Sequence, residues 1–187
     1  MKKVMFYNPK DIRIEECPIP TPKYGEIVVR NKVALTCGTD VKTYIRGYPG
    51  DIPPYGFGHE ASGVVYAVGE GVKKIKVGDR IVCHNSAPCQ KCFYCKKGIH
   101  SMCGDILWNM GAFSQYQVIP KRIVEQNTFI LPDEMSHETA ALMEPLACVT
   151  YGVESIDVKL GDTIVVNGAG PIGLMYVALL VKKGAYV

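Results

Sequence analysis

Four of the eight cysteines could hold one metal ion. Cys89, Cys92, Cys95 and Cys103 fall within fifteen residues, at intervals of three, three and eight. Four thiolates at this spacing can surround a tetrahedral zinc ion, each with its sulfur about 2.3 Å from the metal. The spacing therefore predicts a closed, structural zinc site in a lobe near residues 84–108. An iron–sulfur cluster on the same four thiolates is an alternative.

A second set of possible ligands is dispersed along the chain. Glycine lies next to Cys37 and next to His59, so the backbone can approach its surroundings closely at both places. A thiolate, an imidazole and a carboxylate leave a zinc position open for a substrate oxygen, as in catalytic sites. The carboxylate of Glu144 lies in an apolar helical stretch, where a charge is costly unless it is paired or metal-bound. The candidates for an open zinc site are Cys37, His59, Glu60 and Glu144.

Thr39 follows Cys37 by two residues, close enough to present its hydroxyl to an oxygen held at such a metal. That hydroxyl could carry a proton away from the substrate during the reaction. A turn or helix N-cap beside Gly38 is the alternative structural role for Thr39.

A glycine loop could bind a dinucleotide. Residues 168–173 match the pattern G-x-G-x-x-G, after a predicted strand at 163–167 and before a predicted apolar helix at 171–183. This order directs a helix N-terminus at a pyrophosphate. The acidic residue that separates NAD from NADP is expected about twenty positions later, outside this sequence. The predicted cofactor-binding residues are Gly168, Gly170, Pro171, Ile172 and Gly173.

The elements that must position these groups are mainly short strands. The 19 glycines and 12 prolines imply many tight turns, and residues 4–130 alternate short apolar runs with glycine turns. A partly open β-barrel fits that pattern. After it we expect a helix capped by Ser136 and interrupted by Pro145. The glycine loop then begins a strand–loop–helix unit.

Composition excludes several classes of function. Apolar residues make up 48% and charged residues 21%, which is ordinary for a globular protein and not for a disordered one. The net charge of +3 comes from dispersed residues, so no basic face for nucleic acid is expected. The longest apolar run has eleven residues, too few to cross a membrane, and no secretory leader is evident. We expect a cytoplasmic protein with no membrane partner.

With these motifs, the sequence resembles the zinc-dependent medium-chain dehydrogenase/reductase family. The segment from Gly58 to Val72 resembles that family's zinc signature, and the four-cysteine segment resembles its structural-zinc lobe. The residues Glu144, Pro145 and Leu146 are similar to the branch that contains polyol (sorbitol), butanediol and threonine dehydrogenases. Lys42 stands where that branch commonly has a histidine.

The resemblance implies a GroES-like catalytic domain at 1–150 and the start of a truncated Rossmann domain at 151–187. It implies two zinc ions per chain, NAD or NADP, and hydride transfer from an alcohol or polyol. In this scheme Cys37, His59 and Glu60 hold the catalytic zinc, and Glu144 binds it directly or through water. Thr39 and Glu60 are the catalytic residues. The resemblance further implies a homo-oligomer, a tetramer or a dimer, in the full-length form.

Three alternatives remain at this stage. One is a threonine dehydrogenase-type activity. Another is a non-enzymatic zinc-binding interaction module built on the four-cysteine segment. The third is a fragment that binds metal but has no activity, because family members are about twice as long.

Overall fold

The computed structural model describes residues 1–50 and 52–187, which divide into two compact units, Met1–Ala141 and Leu142–Val187. The first unit is mainly β, as predicted for residues 4–130, and its strands are short. They are β1 (Lys2–Asn8), β2 (Asp11–Glu16), β3 (Ile27–Leu35), β4 (Tyr55–Gly56), β5 (Glu60–Val68), β6 (Arg80–Cys83), β7 (Ser86–Ala87), β8 (Leu107–Trp108), β9 (Tyr116–Ile119) and β10 (Thr128–Ile130).

A five-stranded antiparallel sheet forms the centre of the first unit, in the order β10-β6-β5-β3-β9. Its longest pairing joins β3 to β5, with Leu35 opposite Glu60 at one end. Ile27, Val65 and Ile81 are almost completely buried in the core against this sheet. Burying these branched side chains on one face of the sheet fixes its register. The sheet therefore holds the start of β5 in place.

Two smaller sheets complete the first unit. One has the order β2-β1-β4 and the other pairs β7 with β8. All three sheets are open within the described residues, which agrees with the prediction of a partly open β-barrel.

Short helices connect the strands of the first unit. They are α1 (Gly38–Arg46), α2 (Phe93–Lys96), α3 (Lys121–Gln126) and α4 (His137–Ala141), with a 3₁₀ turn at His100–Met102.

The predicted helix after Ser136 is interrupted, as expected, and the interruption lies just before Pro145. The Ser136 hydroxyl accepts a hydrogen bond from the Thr139 N–H at 3.1 Å, as expected of a cap. The first segment ends at Ala141, and α5 (Met143–Glu154) begins after Leu142. Pro145 then lies in the first turn of α5, where its missing N–H has no intrahelical partner to lose. In one continuous helix the proline ring would meet the Ala141 carbonyl, so the interruption lies where a proline at 145 requires it.

The second unit contains α5 and α6 (Pro171–Lys182) around a small core of Val149, Val153, Leu180 and Ala185. The strand predicted at 163–167 is a single parallel bridge between Thr163 and Tyr186. Among the described residues this bridge is the one strand pairing that the segment makes. The helix predicted at 171–183 is present as α6. No helix in the described parts of the chain is long and apolar enough to span a bilayer.

Candidate active site

The four cysteines of the lobe converge on one point. One sulfur from each of Cys89, Cys92, Cys95 and Cys103 lies within 4.8 Å of the others. The sulfurs of Cys89 and Cys95 are 3.9 Å apart. A tetrahedron with about 2.3 Å from metal to sulfur has edges of about 3.8 Å, so the spacing fits zinc. The donor set and its geometry therefore match a closed tetrahedral site.

The backbone of the lobe supports the sulfurs. The Cys92 N–H donates to the Cys89 sulfur at 3.3 Å, and the Cys89 and Asp105 N–H groups donate to the Cys103 sulfur at 3.3 and 3.4 Å. Hydrogen bonds from the backbone N–H of Cys95 lower the pKa of Cys92 to about 6. Thiolates are the form that binds metal. Backbone N–H groups thus favour the thiolate at Cys89 and Cys92, whereas burial raises the pKa of Cys95 to about 12.

A second cluster joins three of the four dispersed candidates. One ligand atom from each of Cys37, His59 and Glu60 lies within 4.8 Å of the others. Cys37 is the N-cap of α1, and its sulfur accepts a hydrogen bond from the Thr39 N–H at 3.4 Å. His59 and Glu60 are 8% and 4% exposed at the start of β5. Thiolate, imidazole and carboxylate together neutralise Zn²⁺ and leave a coordination position open.

Asp40 is a site residue that the sequence analysis missed. Its Oδ1 accepts a hydrogen bond from His59 Nδ1 at 3.0 Å, and its Oδ2 accepts one from the Cys37 N–H at 2.9 Å. A carboxylate on one imidazole nitrogen directs the other nitrogen toward a metal and raises its basicity. The available signal was the capping-box spacing, in which the third helical residue bonds back to the cap. One buried carboxylate thus orients two of the three ligands.

The backbone around His59 depends on glycine. Gly58 has a φ of +83°, and a Cβ there would lie 2.7 Å from the ring of Phe113. Only glycine fits this conformation and this close approach.

Glu60 is buried at the start of β5. Burial raises the pKa of its carboxyl, while the neighbouring His59 and a hydrogen bond with Cys37 oppose that rise. A buried carboxylate is costly unless it is paired, and a dication beside it would supply that pairing.

A cavity of about 410 Å³ opens beside the second cluster, within the usual size range of small-molecule sites. His59 and Thr39 both line it. Aromatic side chains form much of the remaining wall, among them Tyr55, Phe57 and Trp108. A ligand in this cavity would therefore contact both a candidate metal ligand and a hydroxyl.

The remaining candidate residues belong to the second unit. Glu144 is half-buried in the first turn of α5. The glycine loop leads into α6, with Gly170 as its N-cap and Pro171 in its first turn. A Cβ on Gly173 would lie 1.8 Å from the Gly168 carbonyl oxygen, so the third glycine permits a tight loop-to-helix turn. This cradle of backbone before a helix N-terminus suits a pyrophosphate.

Comparison with known proteins identifies the family. The alcohol dehydrogenase GroES-like domain matches residues 23–133, more than half of the chain. This chain belongs to the zinc-type alcohol dehydrogenase family. Membership confirms the resemblance to medium-chain dehydrogenases and the GroES-like fold, and it supports zinc and NAD(P) as cofactors in general.

Individual relatives agree with this assignment. Sorbitol dehydrogenase of Bacillus subtilis (strain 168) is 34% identical over 193 residues, covering 99% of this chain and 54% of the relative. The structure of 2R,3R-butanediol dehydrogenase from Bacillus subtilis matches with a TM-score of 0.86 and 35% identity, covering 98% of this chain and 55% of that one. A proposed zinc-binding dehydrogenase from Sinorhizobium meliloti 1021, bound to NADP, matches with a TM-score of 0.90 and 30% identity, covering 98% and 54%. The chain spans about half the length of the curated relatives it matches.

Proposed function

We propose that this alcohol dehydrogenase family member carries the catalytic domain of an NAD(P)-dependent zinc dehydrogenase for alcohols or polyols. The observation that carries the proposal is the convergence of Cys37, His59 and Glu60 beside a cavity that Thr39 also lines. A non-enzymatic zinc module would need only the four-cysteine lobe, so this second cluster favours an enzyme.

We further propose two zinc ions per chain. The lobe sulfurs would hold a structural zinc, and Cys37, His59 and Glu60 a catalytic zinc with an open position. Support comes from the two separate ligand clusters. Glu144 is proposed as an additional partner of the catalytic zinc, directly or through water, on the strength of the sequence resemblance alone.

Zinc in the open cluster supplies Lewis acidity toward the substrate oxygen, and NAD(P)⁺ supplies the hydride acceptor. The chain's own groups do the rest of the work. Asp40 keeps the His59 ring in its orientation through the 3.0 Å bond to Nδ1. Thr39 would accept the proton of the substrate hydroxyl while its own hydroxyl proton passes to solvent water in the open cavity. Phe57 and Trp108 would contact the carbon skeleton of the substrate.

The cofactor is proposed to bind at the glycine loop, through Gly168, Gly170, Pro171, Ile172 and Gly173. We also propose that these 187 residues alone bind the dinucleotide too weakly to turn over. Only one parallel bridge is present in the described second unit, and Leu174 and Val181 of α6 are 60% and 54% exposed. A dinucleotide crevice needs several adjacent parallel strands.

We also propose a cellular location and an oligomeric state. A cytoplasmic location is supported by the cysteines, because the described ones are all free of disulfides. A homo-oligomeric full-length form, dimer or tetramer, is supported only by the resemblance to the family.

The test is a dehydrogenase screen with polyols, threonine and simple alcohols, using NAD⁺ and NADP⁺ in turn. It is run on the 187-residue chain and on a longer form with a complete dinucleotide-binding domain. We expect zinc-dependent oxidation of a secondary alcohol by the longer form and none by the chain alone. Oxidation of threonine in preference to every polyol would replace the proposed substrate class, and no oxidation at all would overturn the proposal.

The weak-binding proposal has a separate test. Calorimetric titration of the 187-residue chain with NADH and NADPH should show no micromolar binding. Micromolar binding of either dinucleotide would contradict it.

A further inference from the structure

A chain of hydrogen bonds links β5 to β6 and to α4 close to the open cluster. The Ser62 hydroxyl, which is 2% exposed, donates to the Ile81 carbonyl oxygen at 2.8 Å. The same hydroxyl oxygen lies 2.8 Å from Nδ1 of His137. Ser62 belongs to β5, and His137 is the first residue of α4. These groups have no role in the activity described so far.

The proton positions in this chain of bonds follow from its chemistry. A hydroxyl has one proton and a carbonyl oxygen can only accept, so the Ser62 proton lies on the bond to Ile81. His137 therefore donates to Ser62 through an Nδ1–H. Burial and the positive charge of Arg80 lower the pKa of His137, against an opposing effect of Glu138. The lowered pKa favours a neutral ring, which carries its single proton on Nδ1 and leaves Nε2 bare.

The bonds meet β5 at the end where Glu60 lies. On one side of the strand, Glu60 pairs with Leu35 of β3. On the other side, the described pairing of β5 with β6 runs from Ser62 to Val64. Side chains two positions apart in a strand point to the same face, so Ser62 lies beside Glu60. How firmly Glu60 is held on the β6 side therefore depends on how firmly Ser62 is held.

The helix that carries His137 is a fixed support. It packs against β3, β5 and β6, and Ala140 and Ala141 are 2% and 1% exposed. The segment before the helix is held by Arg80, whose guanidinium donates to the Asp133 carbonyl oxygen at 3.0 Å. The imidazole is thus anchored by elements other than β5 itself.

We propose that His137 is a positioning residue for the open cluster, and that its Nδ1–H bond to Ser62 holds Glu60 where it can bind the metal. This inference rests on the proposed role of Glu60 as a zinc ligand. Groups that orient a metal ligand without touching the metal strengthen metal binding, because the ligand is already in place when the metal arrives. Loss of the His137 bond should therefore weaken zinc binding at the open cluster and leave the lobe unchanged.

The test replaces His137 in the 187-residue chain and measures zinc affinity by competition with a chelator. His137→Leu removes the N–H donor and should weaken the open cluster about tenfold, the lower end of the range for residues that orient ligands. His137→Asn places an amide N–H near the position of Nδ1 and should restore most of the affinity. His137→Gln is the matched control, because its amide lies one carbon farther out and should restore less. Zinc in the lobe is the internal control in each variant.

A spectroscopic measurement separates positioning from a general loss of stability. Co²⁺ bound in the open cluster absorbs visible light in bands that depend on the arrangement of its ligands. We expect the bands of His137→Leu to differ from those of the unaltered chain, and the bands of His137→Asn to match them. A destabilised fold with its ligands in place would leave the spectrum of the folded molecules unchanged.

Unchanged zinc affinity with an unchanged Co²⁺ spectrum in His137→Leu would overturn the inference. Equal affinities of His137→Asn and His137→Gln would overturn it as well, because the bond requires a donor at the Nδ1 position. If His137→Leu does not fold, the ¹⁵N chemical shifts of the His137 ring in the unaltered chain decide the matter. A neutral ring with its proton on Nε2 would contradict the inference, and a proton on Nδ1 would support it.

Glu60→Gln distinguishes failure of the inference from failure of the proposed function. If this variant binds zinc at the open cluster as tightly as the unaltered chain does, the assignment of Glu60 as a ligand is wrong, and the inference falls with it. If Glu60→Gln weakens zinc binding and His137→Leu does not, the ligand assignment stands and only the inference is overturned.

Discussion

The two metal-binding clusters are built from the chain in opposite ways. The lobe draws all four sulfurs from fifteen consecutive residues, and backbone N–H groups of the same segment donate to those sulfurs. The open cluster draws Cys37 from the cap of α1 and the pair His59 and Glu60 from the start of β5. The lobe is a local structure, whereas the open cluster exists only because the large sheet is formed.

This difference predicts a different role for the metal in each cluster. In the lobe, four protein ligands complete a tetrahedron, so zinc there can only stabilise the segment. In the open cluster, three ligands are held by a fold that has its own core of Ile27, Val65 and Ile81. We therefore expect that core to persist when the metal of the open cluster is lost. Four substitutions test this contrast.

The largest effect is expected from Cys95→Ser in the lobe. It should release about one of two zinc ions and unfold the segment around residues 89–103, since a structural zinc contributes about 10–16 kcal/mol in small zinc domains. Elemental analysis measures the zinc content, and thermal unfolding and hydrogen exchange measure the unfolding of the segment. Cys17→Ser, outside both clusters, is the control. Unchanged zinc content would show that the sulfurs are not ligands.

His59→Ala should also release one zinc and leave the lobe zinc in place, and it should lower the thermal midpoint by less than Cys95→Ser does, since it leaves only the buried Asp40 carboxylate without its imidazole partner. Any alcohol oxidation by an active form of the protein should disappear, because only the metal beside the cavity is lost. The exposed His100→Ala is the matched control. A drop in stability as large as that of Cys95→Ser would end the distinction between the two clusters.

Thr39→Val should keep both zinc ions and lower turnover by about 10²-fold, the lower end of the range for general acid–base catalysis, because water can partly replace the hydroxyl. Thr39→Ser keeps the hydroxyl and should restore most of the rate. The pH profile of turnover is the informative measurement. If the valine variant turns over as fast as the serine variant, the hydroxyl carries no proton.

The smallest effect is expected from Asp40→Asn. The open cluster should bind zinc about 10- to 100-fold more weakly, because an amide orients the His59 ring less firmly than a carboxylate. Competition with a chelator measures this affinity. Asp105 is the control, because it donates to a lobe sulfur through its backbone N–H and not through its side chain. Asp105→Asn should therefore leave the zinc affinity of the lobe unchanged. If Asp40→Asn lowered the zinc affinity of both clusters equally, Asp40 would not be the residue that orients His59.

The fold and the site were predictable to different extents. The mainly β first unit follows from its many glycine turns, and α6 follows from the apolar pattern after the glycine loop. The strand at 163–167 was overpredicted, since a strand exists only where another strand lies alongside it. The interruption by Pro145 was predictable, but its exact place was not: the first helical segment ends at Ala141, whose carbonyl a proline four residues later would meet in a continuous helix.

By itself the sequence determined what depends on local spacing: the four lobe cysteines, the glycine loop and the pairing of His59 with Glu60. The sequence also suggested Cys37 as a ligand, but it did not show how Cys37 approaches His59 and Glu60. Tertiary structure alone decided that Cys37, at the cap of α1, meets His59 and Glu60, and that Asp40 bonds both elements. It alone set His137 against Ser62, two residues after Glu60. Contacts between residues twenty or more positions apart arise from burial of the sheet's apolar face, and no local spacing encodes which side chains that burial brings together.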